Sequence, residues 1–271
     1  MTTYDNLIVE HRDDTTIAVV TLNRPARLNA MTAGLVTDLH RCFDELGTSA
    51  RLRAIVLTGA GRGFCAGLDL TGYGDLPDAD QYGRVANGMR VQQHIATLIP
   101  QMRGLRQPII AAVNGPAAGG GLALALGSDV RVASTSATFN AAFVRIGLSG
   151  CDIGTSWMLP RLIGASRAFE LLLSGRVVDS AEADRIGLVT RVVSDAEVLE
   201  EALTVARSIV RNSPMGVWMT KEVMWSQLEI PSLQAGIDLE NRTQIMTAQT
   251  LDHPEAMQAF LGKRPPEFTF R

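Results

Sequence analysis

Two glycine-rich stretches carry the residues best suited to chemistry: GPAAGGGLALALGSD, from Gly115 to Asp129, and IVLTGAGRGFCAGLDL, from Ile55 to Leu70. The first sets Gly119, Gly120 and Gly121 ahead of an apolar run with no charge until Asp129. A phosphate loop needs Gly-Lys-Ser/Thr after its glycines, and here Leu122 follows. Gly61, Gly63 and Ala66 match G-x-G-x-x-A after a strand. A dinucleotide-binding turn opens a helix at once, however, and LDLTGYGDLPDAD follows instead. What remains is an oxyanion site. A helix that begins inside glycines presents the unpaired N–H groups of its first turn, and its dipole places about half a positive charge there. Without Cβ atoms a ligand carbonyl can approach the main chain closely. The same glycines would equally allow tight helix–strand packing, and the triplet alone leaves both roles open. The second stretch favours chemistry. It reads as a strand, Ala54–Thr58, ending in a turn from Gly59 to Gly67. If that strand shares a parallel sheet with Ile109–Val113, both turns open at one edge and offer two donors to one oxygen. Each such donor is worth about 2.7–4 kcal/mol in a transition state.

The rest of the chain has to hold those donors. Its 271 residues, 46% of them hydrophobic, suffice for one large core with or without an extension. Leu7–Val9 and Ile17–Leu22 flank Asp13-Asp14 and read as antiparallel strands. After Thr32, Leu35, Val36, Leu39, Cys42, Phe43 and Leu46 recur at helical spacing until Gly47. Leu76–Gly83 reads as a loop, Val85–Leu98 as a helix, Ile109–Val113 as a strand, Gly119–Gly127 as a buried helix and Val130–Ala133 as a strand. This alternation predicts an α/β core with right-handed crossovers. From Ser166 onward the pattern is helical, with one strand near Val189–Val193 and a break at Ile230-Pro231. We expect residues 1–195 to form the core and residues 196–271 a helical appendage for assembly.

Several function classes are excluded at this level. A net charge of −3 gives no basic footprint for nucleic acid, and Arg84, Arg90, Arg103 and Arg106 read as a solvated helix face. Cys42, Cys65 and Cys151 are odd in number and form no C-x-x-C, which argues against a disulfide framework or a metal site. No two histidines have ligand spacing. His40 reads as solvent-facing and Cys151 as packing. The N-terminus is polar and no run of about 18 apolar residues occurs, so a soluble cytoplasmic protein with no membrane partner is expected.

TLNRPARLNAMT (Thr21–Thr32), GRGFCAGLDL (Gly61–Leu70) and PIIAAVNGPAAGGGLALALGSDVRVAS (Pro108–Ser134) resemble the crotonase, or enoyl-CoA hydratase/isomerase, superfamily. LPRLIGASRAFELLLSGRVVDSAEADRIGLVTRVV (Leu159–Val193) and EAMQAFLGKRPPEF (Glu255–Phe268) extend the resemblance over nearly the whole chain. It implies a spiral of β-β-α units with a helical C-terminal trimerisation region, assembled as trimers or as hexamers built from two trimers. It also implies an acyl-CoA thioester substrate, no cofactor beyond that CoA, and a thioester oxygen held by the amides of Leu68 and Gly120. By motif position, Arg27 and Leu28 resemble the strip along the nucleotide and pantetheine, and Ala66, Asp69 and Leu70 the adenine-side turn. Phe260 and Lys263 resemble a C-terminal pair that often reaches a neighbour's CoA. A side-chain cap is the alternative role for Asp69.

The resemblance also locates what this chain lacks. A typical hydratase of the superfamily holds water between two glutamates, and here their positions are Ala123 and Phe143. Neither can move a proton. The remaining carboxylate is Asp152, in IGLSGCDIGTSWMLP, near where some isomerases of the superfamily carry an aspartate that shifts a double bond. Three functions follow as alternatives. One is an isomerase or hydratase-like enzyme using Asp152 as acid and base. Another is a CoA-ester-binding protein without catalysis. The third is a thioesterase or dehalogenase with Asp152 as nucleophile. The dehalogenases need a histidine on the preceding helix. His94 lies there, but counting from Pro108 puts Ala96 at that position, and Val144 replaces an aromatic residue. Asp152 could also cap the helix that starts near Gly154.

Overall fold

The computed structural model describes residues 3–271. Nine strands occur among them: β1 (Leu7–Arg12), β2 (Ile17–Leu22), β3 (Ala54–Gly59), β4 (Ile109–Val113), β5 (Pro116–Ala118), β6 (Val130–Ser134), β7 (Thr138–Asn140), β8 (Val178–Asp179) and β9 (Arg191–Val193). They form one six-stranded sheet in the order β1-β2-β3-β4-β6-β9 and a small sheet β5-β7-β8. β1 pairs antiparallel with β2, Leu7 opposite Leu22, and every later pair in the large sheet is parallel.

The helices are α1 (Ala33–Thr48), α2 (Arg84–Ala96), α3 (Leu98–Gly104), α4 (Gly120–Gly127), α5 (Thr155–Ile163), α6 (Ala165–Ser174), α7 (Ser180–Arg185), α8 (Val198–Val210), α9 (Pro214–Gln227), α10 (Leu233–Ala248) and α11 (Asp252–Leu261). The inner strands β2, β3 and β4 are apolar on both faces because helices cover both, as parallel crossovers require. In β2, Ala18, Val20 and Leu22 pack with Leu35, Leu39, Cys42 and Phe43 of α1. The alternate residues Ile17 and Val19 join Val56, Ile110 and Val132 against Val198, Ala202, Leu203 and Ala206 of α8.

α8, which lies beyond residue 195, covers this second face of the sheet. α9 is tied in by a buried ion pair: Lys221 Nζ lies 3.0 Å from Asp129 Oδ2 and donates to the Met102 and Gln107 carbonyls. Burial lowers the Lys221 pKa.

Other differences have local causes. α1 runs through Gly47 to Thr48. Gly47 sits in a tight spot of the packing, where a Cβ would lie 2.8 Å from Leu105 Cδ2. The helix expected over 85–98 is two helices jointed at Thr97. The small sheet escaped prediction because strands of two or three residues carry no readable period. For the site, the important feature is the register of β3 beside β4, with Ile55 opposite Ile109 and Leu57 opposite Ala111. Both strands point the same way, so the turns that follow them open at the same edge.

Candidate active site

After β3 the chain passes through Gly59–Gly67 and runs extended between two neighbours. On one side Cys65 bridges to Ala117 of β5: Cys65 N donates to the Pro116 carbonyl at 3.0 Å, and Ala118 N donates to the Cys65 carbonyl at 3.0 Å. On the other side Met31 bridges to Leu68: Met31 N donates to the Gly67 carbonyl at 2.7 Å, and Asp69 N donates to the Met31 carbonyl at 2.9 Å. In a parallel bridge the flanking residues make the bonds, so the Leu68 N–H faces away from Met31.

The second turn meets this segment directly. A Cβ on Gly67 would lie 2.7 Å from the Ala118 carbonyl and 3.4 Å from the Gly120 nitrogen. One on Gly121 would lie 1.9 Å from the Cys65 carbonyl. Only glycine allows this approach. Gly67 and Gly119 also adopt φ of +89° and +51°, where side chains are strained. Gly119 N is used by the Asn140 carbonyl, and the first intrahelical bond of α4 is Ala123 N to the Gly119 carbonyl. Among the hydrogen bonds of the described residues, neither Leu68 N nor Gly120 N donates to a protein oxygen. The first turn of α4 has no acidic residue and no side-chain cap. No side chain of the described residues caps that positive end of the helix dipole.

Three side chains that sequence reasoning missed, or placed elsewhere, brace the turns. Buried Asn29 donates to the Ala60 and Gly63 carbonyls at 3.0 and 2.7 Å and accepts from Arg24 N. Asn114 donates to the Gly59 and Gly61 carbonyls at 2.8 and 2.9 Å. The Asp69 carboxylate is turned inward, taking the Thr71 amide and hydroxyl on one oxygen and Arg24 Nη2, at 3.0 Å, on the other. The Thr71 hydroxyl and amide, with Arg24 behind them, hold its carboxyl down at about 2. It caps a turn rather than a helix, as Gly72 N bonds to its carbonyl. The signal for these residues was their place beside glycines, which side-chain chemistry alone does not flag.

The other expected binding residues fall into two groups. Arg27 is exposed at the end of a single helical turn, Pro25–Arg27. Leu28, left-handed at φ +49°, accepts the Ala66 amide at 2.9 Å, so Leu28 and Ala66 meet beside the Gly59–Gly67 turn, with Arg27 next in the chain. Leu70 is 72% exposed on the same turn. Phe260 and Lys263 lie together at the end of α11, both exposed, with Lys263 N bonded to the Phe260 carbonyl.

Asp152 sits just before α5. Its side chain does not cap that helix: Oδ1 accepts the Ile153 amide at 2.8 Å and Gln92 Nε2. Ile153 joins it to the glycines, because its Cδ1 lies 3.5 Å from where a Gly120 Cβ would be. Phe143 is buried with its Cε1 3.4 Å from the equivalent point on Gly119, and Ala123 is fully buried in α4. His94 points to α1, its Nε2 3.2 Å from the Thr37 hydroxyl, and its Nδ1 is 2.7 Å from the Tyr73 hydroxyl. Burial first, and then the neighbouring His40, lower its pKa. His40 is half-buried rather than solvent-facing, bonded to Gln101 and to the His94 carbonyl. Cys151 is exposed rather than packed, while burial pushes the Cys65 thiol up to about 12.

The family model described as enoyl-CoA hydratase/isomerase matches residues 12–271. The chain belongs to the enoyl-CoA hydratase/isomerase family. It is an enzyme of that family, with acyl-CoA chemistry. It is 42% identical over 264 residues to the "Probable enoyl-CoA hydratase EchA12" of Mycobacterium tuberculosis, covering 97% of this chain and 92% of that one. It is 36% identical to the 1,2-epoxyphenylacetyl-CoA isomerase of Escherichia coli, covering 93% and 95%. Among solved structures, a monofunctional enoyl CoA isomerase from M. smegmatis superposes with a TM-score of 0.72 at 40% identity, covering 86% and 98%. An enoyl-CoA hydratase from Bacillus anthracis superposes at 0.90 with 31% identity, covering 98% and 100%. The hydratase/isomerase fold is thus shared closely with these structures.

Proposed function

We propose that this enzyme moves the double bond of an enoyl-CoA thioester, with Asp152 as the single acid and base and the Leu68 and Gly120 amides holding the thioester oxygen. The observation that carries this is the uncapped start of α4 beside the Leu68 amide, with Asp152 one residue from the Ile153 contact. In a 3-enoyl-CoA, Asp152 takes a proton from C2. The electron pair spreads over C2, C4 and the thioester oxygen, where the two amides and the helix dipole stabilise it. Return of the proton to C4 gives the 2-enoyl-CoA, so the carboxylate is regenerated and the atoms balance. Ala123 and Phe143 leave no pair of carboxylates to activate water between them. Two similar proteins named as isomerases lend further support.

CoA enters as part of the substrate, with no other cofactor. Arg27, Leu28, Ala66 and Leu70 line its path, and Asp69 supports the turn from inside. We propose a cytoplasmic homotrimer, or a dimer of trimers, in which Phe260 and Lys263 reach a neighbour's CoA. Leu233, Ile245, Leu251, Phe260 and Leu261 are each more than 60% exposed, which suits a covered surface. No helix among the described residues is long and apolar enough to cross a membrane.

A panel of 3-enoyl- and 2-enoyl-CoA esters tests the reaction. Interconversion of the two, with water addition at least tenfold slower, is expected. Tight acyl-CoA binding with no turnover on any ester would instead mark a binding protein. A covalent acyl- or aryl-enzyme seen by mass spectrometry would make Asp152 a nucleophile.

A further inference from the structure

Asp152 is not free to turn. Its carbonyl accepts the Thr155 amide and hydroxyl, each at 2.8 Å, and Thr155 is fully buried. Ile153 and Gly154 follow in left-handed conformations at φ +47° and +76°, which reverses the chain into α5. This backbone fixes where the carboxyl group begins. Two donors then fix how it is rotated, and both go to the same oxygen. The Ile153 amide reaches Oδ1 from within the loop, and Gln92 Nε2 reaches it from α2, sixty residues earlier.

We infer that Gln92 is a positioning residue for the reaction: it holds Oδ1 of Asp152 so that Oδ2 is the oxygen that takes and returns the substrate proton. This rests on the role proposed for Asp152. With Oδ1 occupied twice, the lone pairs left for a proton are on Oδ2, and the approach to C2 and C4 is set by a fixed plane rather than a rotor. α2 is well placed for this. Its Arg90 donates to the Pro77 carbonyl at 2.7 Å and stacks on Tyr82 at 3.9 Å, so the helix that orients Asp152 also carries the 77–82 loop.

The test compares Gln92→Leu, which keeps size without the donor, with wild type and Asp152→Asn. Each is assayed for 3-enoyl-CoA isomerisation and for exchange of C2 hydrogen of a saturated acyl-CoA in deuterated water. The expected result for Gln92→Leu is a kcat at least tenfold lower, KM within twofold, exchange slowed by the same factor and an unchanged thermal midpoint. Gln92→Glu, which sets a second negative charge against Asp152, is expected to lose more than Gln92→Leu. An unchanged kcat, a rise in KM alone, or a fall in kcat accompanied by a lower thermal midpoint would each overturn the assignment. Full activity of Asp152→Asn would overturn the role of Asp152 itself. Loss in Asp152→Asn with none in Gln92→Leu would overturn only the role of Gln92.

Discussion

Asp152→Asn is expected to lower kcat for double-bond isomerisation by about 10²–10⁴, with acyl-CoA affinity within threefold of wild type. The substitution keeps the shape of the side chain and removes its capacity to accept and return a proton. On the proposed mechanism the thioester oxygen is still held, because the donors proposed for it are main-chain amides. Steady-state kinetics on a 3-enoyl-CoA, alongside calorimetry with a saturated acyl-CoA, separates the two effects. A fall in affinity with kcat preserved would place Asp152 in binding rather than chemistry. The groups around the glycine turns offer little to replace it. Ala123 and Phe143 have no titratable atom, the Cys65 thiol is buried and held up at about 12, and the Asp69 carboxyl is bound to Thr71 and Arg24.

Gly67→Ala is expected to lower kcat by about 10²–10³, the loss associated with one misplaced oxyanion donor. The added methyl would stand 2.7 Å from the Ala118 carbonyl, in a residue whose φ of +89° already disfavours any side chain. The segment has to move, and Leu68 N moves with it relative to Gly120 N. The backbone strain also costs about 1–3 kcal/mol of stability, which a denaturant titration would register. Gly83→Ala is the control, since that position has φ −64° and nothing within 4 Å of the new methyl. It is expected to leave both activity and stability near wild type. Equal kinetic losses in the two variants would show that the turn geometry is not what limits the rate.

The parts of this molecule legible from sequence are those with a long period or a sharp boundary. β2 and β4 are found at Ile17–Leu22 and Ile109–Val113, as their apolar runs and Pro108 indicate. The glycine triplet marks the start of α4 because an all-apolar helix must be buried and its first turn must face something. The sequence singles out Asp152 as a carboxylate after the glycine motifs, but it does not single out its hydrogen-bond partner Gln92. A glutamine on the exposed side of a helix carries no signal until the fold brings it across sixty residues. Asn29 and Asn114 were hidden for the related reason that their work is to bond carbonyls inside a turn. The reach of α8 across the second face of the sheet depends on tertiary packing, which a helical period cannot assign to one surface or another.

A crystal structure with a non-reacting acyl-CoA analogue tests the central claim most directly. The thioester oxygen is expected within about 2.7–3.1 Å of both Leu68 N and Gly120 N, with the acyl C2 facing Asp152 Oδ2. A thioester bound elsewhere, or an oxygen that meets neither amide, would contradict the account.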